Sequence, residues 1–337
     1  MKVLLHSDKM NTIEKSGVGR AIKHQMKALE LNGVEYTTNP EDDFDIVHIN
    51  TIFPESLAMA RRAKKQGKKV VYHAHSTEED FRNSFTFSNQ LAPLFKTWIK
   101  TCYKIADVIV TPTPYSKKLI ENYNIDKPIV AISNGIELNF FKKDEKKGKQ
   151  FRDDYGFKDS DKVVIAVGLY IERKGILDFV ELAKRCPEYK FVWFGYLNLN
   201  LVPPKIRKAV ETELPNLYFP GYVPREELVM AYSGADLFLF PTYEETEGIV
   251  LLEALASKIP TLIRDIPIYE GWFEDGKNVY KASSLDEFET KMKDILEERL
   301  PNLTEEGYKI AKERDIKNIG KELKQLYESI LEKSNVE

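Results

Sequence analysis

The stretch FPTYEETEGIVLLEALASKIP, residues 240–260, sets Glu244, Glu245 and Glu247 ahead of a helix that is apolar nearly all round. That helix carries a fourth glutamate, Glu253, in its second turn. An unpaired carboxylate in apolar surroundings is strongly destabilising, so Glu253 requires a specific partner. A ribose diol could satisfy both of its oxygens. A hidden arginine could do the same, with the other glutamates merely complementing the helix dipole. The residues alone leave both open. The free N–H groups at the helix start suit an anion such as a phosphate.

All five histidines, His6, His24, His48, His73 and His75, fall in the first 75 residues. His73 and His75 lie two apart in a strand and share a face. H-A-H could form half a metal site, but no third ligand accompanies it. His48 reads as a structural strand-end residue. The Asp-x-Asp pairs in DDFD (42–45) and DSD (159–161) stand just before strands. That is the wrong edge of a parallel sheet for a ligand, so no metal is expected.

The elements that must position these residues alternate along the chain. Candidate strands are KVLLH, DIVHIN, KKVVYHAH, DVIVTP and PIVAIS, then VVIAVGLY, KFVWFGY, LYFPG, DLFLFP and PTLIRD. Between them run helices such as GRAIKHQMKALELNG and KGILDFVELAKRCP. Continuous apolar strands separated by helices predict parallel sheets covered on both faces. The pattern restarts near residue 160, after KKDEKKGKQFRDDYGFKDSDK, read as a charged linking loop. Two doubly wound domains follow, 1–143 and 144–315, with strand ends and ligand sites expected at a cleft between them. The amphipathic segment at about 316–337 is expected to pack back on the first domain.

At 337 residues the chain is long enough for two full cores. Residues 1–143 hold 21 Lys and Arg against 16 Asp and Glu, a net +5; the remainder holds 29 against 37, a net −8. The two units thus carry different surfaces. Cys102 and Cys186 are too few for a disulfide framework and fit a reducing compartment. No apolar run approaches the roughly 18 residues that span a bilayer, and the N-terminus lacks a signal-peptide core. A cytoplasmic protein is expected. The basic run RRAKKQGKK (61–69) lacks interleaved aromatics, so no nucleic-acid partner is expected.

The order strand, P-T-x-x-E-x-x-G-I-V-L-L-E-A-L-A resembles the signature of glycosyltransferase family four, retaining enzymes of the two-Rossmann GT-B fold. KSGVGRAIKHQMKAL resembles that family's first glycine-rich loop, ISNGIELNFF its junction element, and GLYIERKGILDFVELAK its diphosphate segment. The resemblance implies that Glu245 contacts a donor sugar and Glu253 the nucleotide ribose. Thr246, Glu247, Gly248, Ile249 and Val250 then line the sugar and phosphate. Gly17, Gly19 and Lys174 fall near the diphosphate, and His75 beside the reacting sugar. Three positions depart from the pattern: Leu169 for an arginine whose charge Arg173 could replace, Lys258 for a glycine, and Glu247 for a phenylalanine. E-E-T-E-G, HSTEEDFRNSF and TPTPYSKKLIE resemble the bacterial subgroup that glycosylates diacylglycerol and glucosyldiacylglycerol.

The resemblance implies a hexosyltransferase using UDP-glucose or UDP-galactose, with no cofactor, and a glycolipid acceptor such as glucosyldiacylglycerol. Diacylglycerol itself and a capsule, teichoic or other polysaccharide acceptor are alternatives. An oxidoreductase reading fails because a dinucleotide fingerprint needs glycine where Ile22 stands. A sugar-nucleotide sensor without turnover is the remaining rival. A lipid acceptor predicts peripheral docking on the inner face of the cell membrane. APLFKTWIKTCYKIAD offers Lys96, Lys100 and Lys104 at a four-residue spacing beside an apolar face with Phe95 and Trp98. That face could insert in lipid, or pack on the protein's own sheet.

Overall fold

The structure, a computed structural model, describes residues 1–8 and 16–332. It separates into two compact units. The first comprises Met1–Glu79, Gln90–Glu137 and the C-terminal stretch from Arg314; the second comprises Asp80–Asn89 and Leu138–Glu313.

The first unit is built on strands β1 (Lys2–His6), β2 (Glu35–Thr37), β3 (Ile46–Ile49), β4 (Lys69–His73), β5 (Val108–Thr111) and β6 (Ile129–Ala131), in the order β2-β1-β3-β4-β5-β6. Every neighbouring pair is parallel. β3 and β5 are buried at all four positions, as strands covered on both faces must be. Ser16 caps the helix Gly17–Leu31 by accepting from the Gly19 N–H at 3.3 Å. The C-terminal helix Ile316–Glu332 lies against that helix, where Gly320 leaves no room for a Cβ beside the Ala28 carbonyl. Its Ile319, Leu323, Tyr327 and Ile330 join Val3, Leu5 and Val71 in one apolar cluster.

The second unit repeats the plan with β7 (Val163–Val167), β8 (Lys190–Phe194), β9 (Leu217–Gly221), β10 (Leu237–Phe240), β11 (Thr261–Arg264) and β12 (Tyr280–Ala282). Their order, β12-β11-β10-β7-β8-β9, is again all parallel. It is the dinucleotide-binding order, whose direction reverses between the first and fourth strands, here β7 and β10. Phe179 packs edge-on against Phe191 and Trp193 at the centre of this core.

The stretch read as a linking loop contains a helix, Glu145–Tyr155, begun by Asp144 and ended by Gly156 in the left-handed conformation. Only Gly148 and Phe151 on it are buried, so its hydrophobic period is too faint to read. It is held instead by backbone contact: a Cβ on Gly148 would fall 2.6 Å from the Ser233 carbonyl oxygen. β2 and β12 were absent from the expected strands; each is an edge strand of only three residues.

Gly148→Val should therefore force the helices Glu145–Tyr155 and Arg225–Gly234 apart. A cost of about 1–3 kcal/mol is expected, read as a fall in the midpoint of urea unfolding. An unchanged midpoint would show that the contact relaxes freely.

Candidate functional site

Ligands of open parallel sheets bind beyond the strand C-termini, where the strand order reverses. In the second unit two loops leave that edge side by side. One follows β7 and ends in the turn Glu172–Lys174; the other follows β10 and runs through Glu245 to the helix Ile249–Ala256. Gly175, at φ 78°, sits so tightly on the Pro241 carbonyl that no side chain fits. This presses the two loops together. The Tyr243 N–H donates to the Arg173 carbonyl at 2.8 Å.

Lys174 donates to Glu245 Oε1; the carboxylate is buried and the lysine half-buried. Burial pulls the Lys174 ammonium below its usual range, against the upward pull of Glu245. Arg173 Nη1 lies 3.8 Å from Glu245 Oε2 and donates to the Glu244 carbonyl at 2.8 Å. Its Nε donates to Ser84 Oγ at 3.2 Å. A guanidinium thus stands beside Lys174 although Leu169 offers no charge. Thr246 is half-buried and Glu247 buried. Gly248, at φ 88° and ψ 66°, caps the helix start of Ile249 and Val250. Such a left-handed residue lets the chain turn from loop into helix without strain.

Glu253 is fully buried. Tyr232 lies against it, its hydroxyl 3.1 Å from Glu253 Oε2 and 3.2 Å from the Val250 carbonyl. This partner, on the helix Arg225–Gly234, was missed in the sequence. Two further features were missed. Arg264 bonds Asp178 and stacks 3.8 Å above the Tyr243 ring. Ser84 comes from the short segment 80–89, which no motif connects to Arg173.

In the first unit the order reverses at β1, between β2 and β3, and the histidines gather beyond this edge. His75 lies just past β4, stacked on His73 with ring centroids 3.9 Å apart. The hydrogen bonds fix one tautomer chain. Asn50 Nδ2 donates to Gln25 Oε1 at 2.9 Å, so Gln25 Nε2 donates to His73 Nδ1 at 2.7 Å. His48 Nε2 then donates to the same atom at 3.2 Å, and the Tyr327 hydroxyl donates to His48 Nδ1 at 2.6 Å. His75 Nε2 donates to Asn50 Oδ1 at 3.0 Å, leaving Nδ1 an acceptor. Burial holds His48 and His75 down to about 3, and His73 well below its usual range. His75 is thus a neutral hydrogen-bonding group. Gly19 is buried and Gly17 exposed at the start of the helix Gly17–Leu31.

The lysine helix, Ser88–Tyr103, corrects one expectation. Trp98 does not face outward: its indole N–H donates to the Ile52 carbonyl at 2.7 Å, and it packs with Phe95 and Ile105 on the first core. Lys96 is engaged by Glu78 at 2.9 Å and by the Tyr123 ring at 4.5 Å. Lys100 is half-buried and Lys104 exposed. The outward apolar residues are Leu91 and Leu94, 48% and 69% exposed. No cluster of metal-ligating side chains occurs among the described residues.

These two sheets with their loop constellations define a class. Residues 147–314 match the family Glycosyl transferases group 1, and residues 16–140 match Glycosyltransferase Family 4. The chain belongs to this family of glycosyltransferases, and its fold is GT-B. It is 45% identical over 334 residues to the processive diacylglycerol alpha-glucosyltransferase of Acholeplasma laidlawii, covering 98% of this chain and 99% of that protein. It is 26% identical over 276 residues to the alpha-galactosylglucosyldiacylglycerol synthase of Streptococcus pneumoniae, covering 80% and 73%. Among solved structures, Anabaena HepE in complex with UDP and glucose superposes with a TM-score of 0.77 at 14% identity, covering 98% of this chain and all of that one. Sucrose-phosphate synthase of Thermosynechococcus elongatus gives 0.82 at 15%, covering 98% and 99%.

His48, His73 and His75 make stability depend on pH. They stay neutral in the fold, whereas in the unfolded chain they take up protons below about pH 6.5. Stability should hold above that pH and fall as pH drops from there toward 3, by up to about 1.4 kcal/mol per pH unit for each histidine. Unfolding midpoints across pH 4–8 check this, and His48→Gln should flatten the slope.

Proposed function

We propose that this chain transfers glucose, with retention, from UDP-glucose to a diacylglycerol-type lipid at a membrane surface. The observation that carries the reading is the meeting of Lys174, Arg173 and Glu245 at the switch point of the second sheet. It is supported by the relative of 45% identity, whose name specifies glucosyl transfer to diacylglycerol. That name also favours glucose over galactose. "Processive" favours both diacylglycerol and its glucosylated product as successive acceptors.

In this reading Lys174 and Arg173 take the charge of the departing diphosphate, and the N–H groups of Ile249 and Val250 bind its oxygens. Glu245 orients the sugar, and Glu253 receives the ribose hydroxyls. Gly17 and Gly19 start a helix whose N-terminus suits a phosphate. The acceptor hydroxyl attacks the anomeric carbon from the face the phosphate leaves. Its proton passes to the departing phosphate oxygen, so no protein base is consumed. The protein contributes positioning and charge stabilisation. His75, neutral, offers a hydrogen bond beside the sugar rather than general-base chemistry.

Glu253→Gln should weaken UDP binding about tenfold, since it removes one charge-assisted bond of about 1.5–3 kcal/mol and keeps a neutral one. Glu245→Ala should instead lower turnover with UDP-glucose and leave UDP binding nearly intact. Calorimetry and initial rates separate the two. Activity should survive EDTA; loss restored by manganese would sink the metal-free donor site.

Membrane docking is proposed through the outward stripe of the helix Ser88–Tyr103, with Leu91 and Leu94 entering the headgroup region and Lys104 meeting anionic lipid. Leu91→Ser with Leu94→Ser should reduce sedimentation with anionic vesicles, whereas Trp98→Ala should lower stability. Undiminished sedimentation of the double variant would rule this stripe out.

A further inference from the structure

Tyr269 ends the turn Pro267–Tyr269 after β11 and is fully buried. Phe273 meets its ring edge-on at 5.2 Å. The hydroxyl reaches beneath Gly248: a Cβ placed there would fall 3.2 Å from that oxygen and 3.3 Å from the Phe240 ring. The phenol therefore occupies the space that the glycine leaves at the start of the helix Ile249–Ala256. It has no hydrogen-bond partner among the described residues.

A buried hydroxyl without a partner costs about 1–3 kcal/mol, and phenylalanine would fill the same space without that cost. The charged groups that face it are Glu245, Glu247 and Glu244; burial first, and then these carboxylates, push its pKa well up. It therefore remains a proton donor. A donor thus faces the carboxylates of the loop after β10, and no bond is made.

We propose that Tyr269 is a positioning residue of the donor site, whose hydroxyl takes up the Glu245 carboxylate when a sugar nucleotide draws Lys174 away. The inference rests on the donor-site reading above. Lys174 is bonded to Glu245, and Arg173 stands 3.8 Å from the other carboxylate oxygen. A diphosphate beside Lys174 competes for the ammonium. Glu245 then loses its strongest partner in a buried place, where an unpaired carboxylate is most costly. A hydrogen bond from Tyr269 keeps it ionised and pointed at the sugar. Glu245 touches the sugar in this scheme; Tyr269 acts through Glu245.

Tyr269→Phe tests this by thermal unfolding of the full chain in buffer, with UDP and with UDP-glucose, together with steady-state kinetics on diacylglycerol-containing vesicles. The variant should melt at or above the wild-type temperature in buffer and show a smaller shift than wild type with UDP, whose diphosphate also draws Lys174 away. With UDP-glucose its shift should be smaller too, and kcat should fall about tenfold, with KM for the donor changed less. Wild-type kcat and a wild-type UDP-glucose shift in the variant would overturn the role of Tyr269 and leave the donor site standing. A lower melting temperature in buffer would also overturn it, because the hydroxyl would then serve the fold. No shift of the wild-type protein with either nucleotide would remove the donor site and this proposal together.

Discussion

A half-buried ammonium against a buried carboxylate, Lys174 on Glu245, is the contact around which the loops of the second unit are arranged. Such pairs contribute little net stability, because desolvating both charges offsets most of their attraction. Yet the surroundings are built to hold this one. Gly175 admits the close approach to Pro241, the Tyr243 N–H ties the two loops, and Arg173 braces Glu245 from the other side while reaching Ser84. A fold that maximised stability would replace these charges with apolar side chains. Keeping them leaves positive charge at a sheet's switch point, the place where ligands of such sheets bind.

The first unit solves a different problem. It crowds His48, His73 and His75 into one stack, and burial keeps all three neutral. The amides of Gln25 and Asn50 then orient each ring, and the C-terminal helix supplies Tyr327 at the far end. The ring of His48 is thereby held by a residue 279 positions later in the chain, and that of His75 by Asn50. One consequence is chemical: a neutral imidazole with its Nε2 committed to Asn50 can accept a hydrogen bond at Nδ1 but is a poor base. Another is energetic, since every proton that the fold refuses in acid weakens it.

The helix Ser88–Tyr103 shows how one amphipathic pattern can be read in two directions. Its aromatic face completes the core, because burying Trp98 and Phe95 on the sheet removes more apolar surface from water than partial contact with lipid would. Its outward stripe is left with Leu91 and Leu94, residues that the lysine spacing did not single out.

The doubly wound plan was legible in the sequence because buried parallel strands are continuous apolar runs, and ten of them stand out between helices. The order P-T-Y-E-E-T-E-G ahead of an apolar helix likewise announced Glu245 and Glu253, since few local structures tolerate such charges. The helix Glu145–Tyr155 was not legible: a glycine pressed on a backbone holds it, and that leaves no hydrophobic period. The edge strands β2 and β12, three residues each, were too short to declare themselves. Tyr232 beside Glu253, Ser84 on Arg173, the inward turn of Trp98 and the bare hydroxyl of Tyr269 were decided only by tertiary structure. Each depends on residues between 21 and 89 positions apart meeting in space, and a one-dimensional pattern carries no record of such meetings.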